Sequence, residues 1–171
     1  MRFAAVSSSL AAFSGALALG AVANAAKPEP VATHTDWSVF VQDVEGEKVC
    51  FAATEAKDKS PKTVNHGDVF FMVASWKSGA ANQQPSLMAS YNFKDAPEPI
   101  ARIGSDKWEM YVSENEAFIE KESDENNLVG AMKRGADMRV SAVSSRGTAT
   151  NYRISLRGIT AALKDVDRLC R

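Results

Sequence analysis

The sequence predicts a mostly β domain, either a β-sandwich or a flattened barrel of about eight to ten strands, with one short inserted helix and a C-terminal helix. Two observations support this fold class. Apolar residues alternate with polar ones over short segments, and stretches rich in Gly, Pro, Asn and Asp separate those segments. Two stretches in the second half change to helical spacing, and the last of them ends the chain.

The first strands are predicted around a tryptophan and a cysteine. Trp37 to Val41 alternates, Glu45-Gly46-Glu47 supplies a turn, and Lys48 to Ala52 forms the return strand. Thr54 to Gly67 is polar and rich in lysine, so we expect a loop there.

The longest strongly apolar run is Asp68 to Trp76, with sequence DVFFMVASW. Its length and its content of Val, Phe and Trp favour a strand buried on both faces over a helix. We accordingly assign four aromatic residues of this region and beyond to the core rather than to a ligand platform: Phe70, Phe71, Trp76 and Trp108.

The middle of the chain predicts three further strands. Lys77 to Ser86 is a loop of Gly, Asn, Gln and Pro, and a strand follows near Leu87 to Phe93. Trp108 to Val112 alternates as one strand, and Ala117 to Ile119 returns beside it.

The second half predicts a helix, a hairpin and a terminal helix. Asp124 to Gly135 carries acids first, then one apolar stripe, then bases and a glycine, which is the order of a short helix. Met138 to Ala142 and Thr150 to Leu156 alternate as two strands, with a turn at residues 145–148. Ile159 to Leu169 has helical spacing that would place one apolar face on the sheet.

The N-terminus has the pattern of a secretory signal peptide over residues 1–25. Arg2 precedes an apolar stretch, and Ala23-Asn24-Ala25 is the small-x-small pattern that signal peptidase accepts. We predict cleavage after Ala25, a flexible lead-in over residues 26–35 and a single domain over residues 36–171. The apolar stretch is too short and too rich in alanine to anchor the chain in a membrane, and no later segment is long enough to cross one.

The two cysteines, Cys50 and Cys170, are predicted to form a structural disulfide. Exported chains with two cysteines usually pair them, and neither cysteine has a C-x-x-C partner or a neighbouring base that would indicate redox chemistry. The bond would attach the terminal helix to a strand near the start of the domain.

The order of these features resembles the invasion-associated locus B family of exported bacterial proteins. The resemblance covers nearly all of the mature chain and rests on the Trp37 strand, Lys48-Val49-Cys50, residues 128–135 (LVGAMKRG), residues 145–148 (SRGT), residues 154–163 (ISLRGITAAL) and Cys170. It implies an exported β domain with a disulfide and a link to host-cell invasion. Residues 78–99 match the family pattern least.

The chemical candidates are sparse. His34 and His66 are interpreted as solvated loop residues, and we predict no metal and no cofactor, since a zinc site needs three or four ligands. An acidic stretch is interpreted as a solvated hairpin edge and helix start, although a glycosidase pair or a calcium site is an alternative: Glu114, Glu116, Glu120, Glu122, Asp124 and Glu125.

Two functional hypotheses of different class follow. The first is a non-catalytic periplasmic or secreted protein that binds an envelope or host protein or glycan through loops and an exposed sheet face. The second is a periplasmic enzyme whose carboxylates converge from distant segments. A formal net charge of −1 gives no basic excess for general nucleic-acid binding.

Overall fold

The structure, a computed structural model, describes residues 28–171, so the predicted signal peptide lies outside the described residues. Within that range the chain forms twelve strands and two helices. In chain order they are β1 (Ala32–His34), β2 (Trp37–Val44), β3 (Glu47–Glu55), β4 (Asp58–Ser60), β5 (Val69–Trp76), β6 (Gln84–Ala89), β7 (Ile100–Ile103), β8 (Asp106–Glu109), β9 (Tyr111–Ser113), β10 (Glu116–Phe118), α1 (Glu122–Met132), β11 (Asp137–Val143), β12 (Ala149–Ser155) and α2 (Ile159–Leu169).

The strands form two separate antiparallel sheets. The larger has seven strands in the order β1-β2-β3-β5-β6-β10-β9, and the smaller has five in the order β4-β12-β11-β7-β8. The predicted mostly β class is therefore confirmed, and of the two predicted architectures the sandwich-like one is observed. The strand count exceeds the expected eight to ten because several strands are only three or four residues long.

The first hairpin shows how sequence fixes local register. Glu45 and Gly46 both have positive φ, at 54° and 85°, which is the backbone of a two-residue hairpin turn with the twist that joined strands need. The Asp43 carboxylate accepts a 2.8 Å hydrogen bond from the Gly46 amide. This turn sets the pairing that brings Trp37 and Val39 to the inner face of the sheet.

A single core lies between the two sheets. Alternate residues of the central strands point into it, and both helices add their buried residues to the same cluster, including Leu128 and Met132 of α1 and Leu163 of α2. The indole Nε1 of Trp37 donates a 2.9 Å hydrogen bond to the carbonyl oxygen of Ser155, so the first long strand is bonded to the last strand of the other sheet.

Cys50 and Cys170 form the predicted disulfide, with Cα atoms 5.8 Å apart and a sequence separation of 120. Cys50 is completely buried on β3, and Cys170 caps the end of α2. The bond fixes the terminal helix to the centre of the seven-stranded sheet.

Several predicted segments differ from the observed ones. Residues 32–34 form β1 and pair with β2, so the lead-in is ordered over its last part, and the expected loop from Thr54 to Gly67 contains β4. The strand β7 was not predicted. The expected strand from Trp108 to Val112 is two strands, because the buried Met110 lies where the chain passes from one sheet to the other.

The strand β5 also differs from its prediction. Val69, Phe71 and Val73 are completely buried, but the alternate residues Phe70 and Trp76 are partly exposed. The strand is therefore buried on one face rather than on both. Phe70 and Trp76 were predicted to be core residues, and that assignment is wrong.

Both predicted helices are observed, but the bases predicted in the last turn of α1 lie beyond its end. The helix α1 begins with acids in its first turn and ends at Met132, and Lys133 and Arg134 follow it directly. The helix α2 buries Ile159, Leu163 and Val166. Among residues 28–171, neither helix is long or apolar enough to cross a bilayer.

Candidate functional site

The predicted acidic residues are only partly brought together. Glu120 lies between two open clefts beside the start of α1, with volumes of about 320 and 280 Å³. Asp124 faces the first cleft, while Glu122 and Glu125 face the second. Burial raises the pKa of Glu125, whose carboxylate accepts a hydrogen bond from Gln84 that works in the opposite direction.

The other two predicted acids lie elsewhere. Glu114 is exposed in the turn between β9 and β10, and Glu116 lies on β10 without lining either cleft. The first cleft is also lined by the basic residues Lys107 and Lys121. Within residues 28–171, no three His, Cys, Asp or Glu side chains are grouped closely enough to hold a metal ion.

His66 is a buried structural residue, so its assignment as a solvated loop residue was wrong. It is 7% exposed; its Nε2 lies 2.9 Å from the carbonyl oxygen of Pro61, and its Nδ1 lies 3.3 Å from the Tyr152 hydroxyl. Because a carbonyl oxygen only accepts, Nε2 carries a proton and donates it to the Pro61 carbonyl. Burial in turn raises the pKa of Tyr152.

His34 is also more constrained than predicted. It ends β1, its side chain is 31% exposed, and its Nε2 lies 2.8 Å from Oδ2 of Asp165 on α2. The hydrogen bond from His34, followed by that from Arg168, lowers the pKa of Asp165. This contact connects the edge strand to the terminal helix.

The outer face of the seven-stranded sheet is the most distinctive surface of the described chain. Strand pairing places eight large apolar side chains on it, all only partly buried or exposed: Phe40, Phe51, Phe70, Met72, Trp76, Met88, Tyr111 and Phe118. We call this surface the aromatic face. Both helices and the smaller sheet contribute to the core on the opposite side of the sheet.

Two pairs of stacked rings lie on the aromatic face. Phe40 and Phe51 stack across β2 and β3 with ring centroids 5.1 Å apart, and Tyr111 and Phe118 stack across β9 and β10 at 5.7 Å. Such ring pairs stabilise neighbouring strands beyond simple area burial. Tyr111 remains 43% exposed.

One carboxylate lies within this apolar surface. Glu116 stands directly opposite Met88 on β6 and beside Ser113 on β9. Burial raises its pKa, and within residues 28–171 the partly exposed Glu116 carboxylate forms no ion pair. A carboxylate beside apolar side chains is a site at which a basic group supplied from outside could pair.

Sequence reasoning missed this face because both sets of alternating residues on β5 are apolar. The alternation that identifies a half-exposed strand is therefore absent there. On β2, which lies two strands away in the same sheet, the outward positions include the polar residues Ser38 and Gln42. These polar residues were the available indication that this side of the sheet is partly exposed.

Comparison with protein families finds one match. Residues 37–167 match the family described as invasion associated locus B (IalB) protein. Comparison with curated proteins and with solved structures finds no match.

Proposed function

The chain belongs to the invasion-associated locus B family, and from this premise we propose that it is an exported, non-catalytic binding protein that docks a protein partner on its aromatic face. The proposal combines the predicted signal peptide, the disulfide and the exposed sheet surface. Periplasmic or secreted location is part of the proposal, and an envelope or host protein is the class of partner.

The observation that carries the proposal is the aromatic face, whose eight large apolar side chains are partly or fully exposed in the described part of the chain. Contiguous exposed apolar surface is uncommon on a monomeric domain and marks a protein or membrane contact. Phe, Tyr, Trp and Met are also the residue types enriched at the centres of protein interfaces. Here they stand on rigid paired strands, so little conformational entropy is lost when a partner orders them.

The charges on this face favour a protein over a membrane surface. Glu116 lies within the face, and Glu55 stands directly opposite Phe70 at its margin. Carboxylates at these places would oppose contact with anionic lipid headgroups. A protein partner with an apolar centre and one basic side chain opposite Glu116 would complement both the apolar surface and the Glu116 carboxylate.

Site-specific photocrosslinking in living cells tests the docking surface. A crosslinker at Met72, in the middle of the face, should form a defined protein adduct that a crosslinker at the exposed Lys164 of α2 does not form. Phe51→Ser and Glu116→Lys should abolish the adduct, whereas Val64→Ser, which removes an apolar side chain that is 39% exposed outside the face, should leave it unchanged.

Several outcomes would contradict the docking proposal. An adduct of equal yield from Met72 and Lys164 would indicate nonspecific capture. An adduct containing a second copy of this chain would show self-association instead. If Glu116→Lys still formed the adduct, the Glu116 carboxylate would have no part in docking.

The alternative function is an enzyme that uses the carboxylates at the start of α1. The proximity of Glu120, Glu122 and Glu125 around one cleft, with the raised pKa of Glu125, is the observation that favours it. Turnover of ester, peptide, phosphate or glycoside reporters that disappears in Glu125→Gln and persists in Glu114→Gln would establish this alternative. We propose that no such turnover occurs.

Export is tested at the N-terminus. Mass spectrometry of the protein purified from its native cell envelope should find a mature chain that begins at Ala26. Recovery of the protein with Met1 intact, in the cytoplasmic fraction, would contradict export.

A further inference from the structure

The outer face of the five-stranded sheet carries four basic side chains in one row across four neighbouring strands. Lys107 on β8 stands opposite Arg102 on β7, which stands opposite Arg139 on β11, which stands opposite Arg153 on β12. We call these four residues the basic row. With neighbouring strands about 4.8 Å apart, the row extends over about 14 Å.

All four side chains are exposed, and the two in the centre are the least compensated. Arg153 forms a 3.0 Å ion pair with Asp137 and stands opposite Asp58 on β4, and Lys107 lies 3.6 Å from the Glu109 carboxylate. Within residues 28–171, Arg102 and Arg139 have no ion pair.

The like charges of neighbouring strands in this row repel one another. Like charges directly opposite each other in an antiparallel pair are destabilising, and here three such pairs follow one another. The protein as a whole has a net charge of −1, so the row is a local feature and not a consequence of a basic composition. A cost to stability at a localised site is expected where the residues serve a ligand.

The next row along the strands is polar and uncharged at its centre. Ser60, Asn151 and Ser141 occupy consecutive strands there, with Ile100 beyond them and Glu109 at its far end. Hydroxyl and amide groups beside a line of cations match a ligand that has anionic groups and hydroxyl groups together. No aromatic side chain faces outward on the described strands of this sheet, so the face lacks the stacking platform typical of single-stranded nucleic-acid binding.

We propose that the basic row binds a linear acidic polysaccharide, with its carboxylate or sulfate groups on the arginines and its hydroxyl groups on Ser141 and Asn151. A guanidinium group donates paired hydrogen bonds to such oxyanions, and three of the four cations are arginines. This surface is on the opposite sheet from the aromatic face, so the inference goes beyond the proposed protein docking and is independent of it.

Direct titration of the purified mature protein with a heparin decasaccharide tests the site. Binding should weaken as salt is raised, because the row is solvent-exposed. Arg102→Gln and Arg139→Gln should each weaken binding about tenfold or more. Arg139→Lys should lose less than Arg139→Gln, because it keeps the charge but not the paired hydrogen bonds.

The matched control is Arg146→Gln. Arg146 is an exposed arginine in the turn of the same β11–β12 hairpin, about 20 Å along the strand from Arg139, and it forms no ion pair within residues 28–171. It should change binding by less than about twofold while altering the net charge by the same amount. An equal loss of binding in Arg146→Gln would show that only the net charge of the protein matters, and it would contradict a binding site at the basic row.

Thermal unfolding separates a binding defect from a folding defect. Arg139→Gln should unfold at the same temperature as the wild type or a higher one, because it removes two like-charge pairs. A lower unfolding temperature together with weaker binding would show that the row supports the fold instead.

Three further probes identify the ligand class. Polygalacturonate, which carries carboxylates, should bind, whereas oligo-deoxythymidylate and phosphatidylglycerol vesicles should bind at least about tenfold more weakly at equal concentrations of negative charge. Equal or tighter binding of the oligonucleotide or the vesicles would replace the polysaccharide with that class. Absence of binding to both polysaccharides at low salt would refute the proposal.

Discussion

The indole of Trp37 donates its hydrogen bond to the backbone of Ser155, 118 residues further along the chain. Trp37 is completely buried and begins the longer of the two N-terminal strands of the large sheet, whereas Ser155 ends β12 in the small sheet. The contact therefore fixes the two layers of the sandwich to each other at the end where α2 begins. A buried carbonyl that accepts from a side chain is left without that partner when the side chain loses its donor.

Trp37→Phe should destabilise the fold by about 2–4 kcal/mol, through a cavity and the lost hydrogen bond. Trp76→Phe is the matched control, because Trp76 is partly exposed on the aromatic face; it should cost less than about 1 kcal/mol. Urea unfolding followed by circular dichroism measures both. Equal costs would show that the Trp37 contact contributes nothing specific.

The elements with a clear period were predictable from sequence. Residues 37–44, 137–143 and 149–155 alternate with one buried face, and α2 has an apolar stripe at helical spacing. In these segments local pattern and tertiary burial agree, so periodicity alone identifies the element.

The remaining elements depend on partners that are distant in sequence. The strands β1 and β4 are three residues long and exist only because β2 and β12 offer free edges for pairing. At Met110 the alternation continues smoothly while the chain changes sheet, so the pattern contains no sign of the break.

The two proposed surfaces were hidden for related reasons. On β5 both faces are apolar, which removes the alternation that would have indicated exposure. The basic row exists only through the pairing register of β7, β8, β11 and β12, and register is a property of the folded sheet rather than of any one segment.

Gly158→Ala should be strongly destabilising. Gly158 precedes α2 with φ of 101°, and an added Cβ would collide with the backbone carbonyl of His34. We expect a loss of about 2–4 kcal/mol from the unfavourable backbone together with the displaced edge strand. Gly79→Ala separates the two causes, because Gly79 has φ of 82° but no atom within 4 Å of its added Cβ; it should cost about 1 kcal/mol. Denaturant unfolding of the two variants compares them, and equal losses would show that β1 does not press on Gly158.

Asp36→Asn should remove part of the dependence of stability on acid. The hydrogen bond from Lys57, then that from the Ser155 hydroxyl at 2.6 Å, lower the pKa of Asp36. A carboxylate whose pKa is lowered by folding stabilises the fold above its unfolded pKa, about 3.9, and this contribution is lost as the pH falls through the folded value.

The variant should therefore lose about 1 kcal/mol at pH 7 and should differ less from the wild type at pH 2 to 3. Urea unfolding at a series of pH values measures the difference. Asp95→Asn, at an exposed loop position, controls for removal of a charge and should follow the wild-type curve. A constant difference between Asp36→Asn and the wild type across the whole range would show that the ionised carboxylate is not responsible.

The last prediction concerns the disulfide and depends on the different burial of its two ends. Cys50 is completely buried on β3, whereas Cys170 is partly exposed at the end of α2. Loss of the bond should cost about 2–5 kcal/mol, because it releases a loop that spans most of the domain. Cys170→Ser should cost about as much as reduction of the wild type, since its hydroxyl can reach water. Cys50→Ser should cost more than either, because it also buries a hydroxyl in the core.

Cys50→Ala isolates the hydroxyl contribution and should lie between Cys170→Ser and Cys50→Ser in unfolding free energy. After reduction, the most slowly exchanging amides should lose protection in proportion to the lost unfolding free energy, and hydrogen exchange should show an additional local opening in the last turn of α2. Its earlier turns should show no such local opening, because Ile159, Leu163 and Val166 remain packed in the core. Free-thiol titration of the oxidised, denatured protein should find no thiols. If the last turn of α2 showed no local opening beyond this general loss, the bond would not be holding the end of the terminal helix in place.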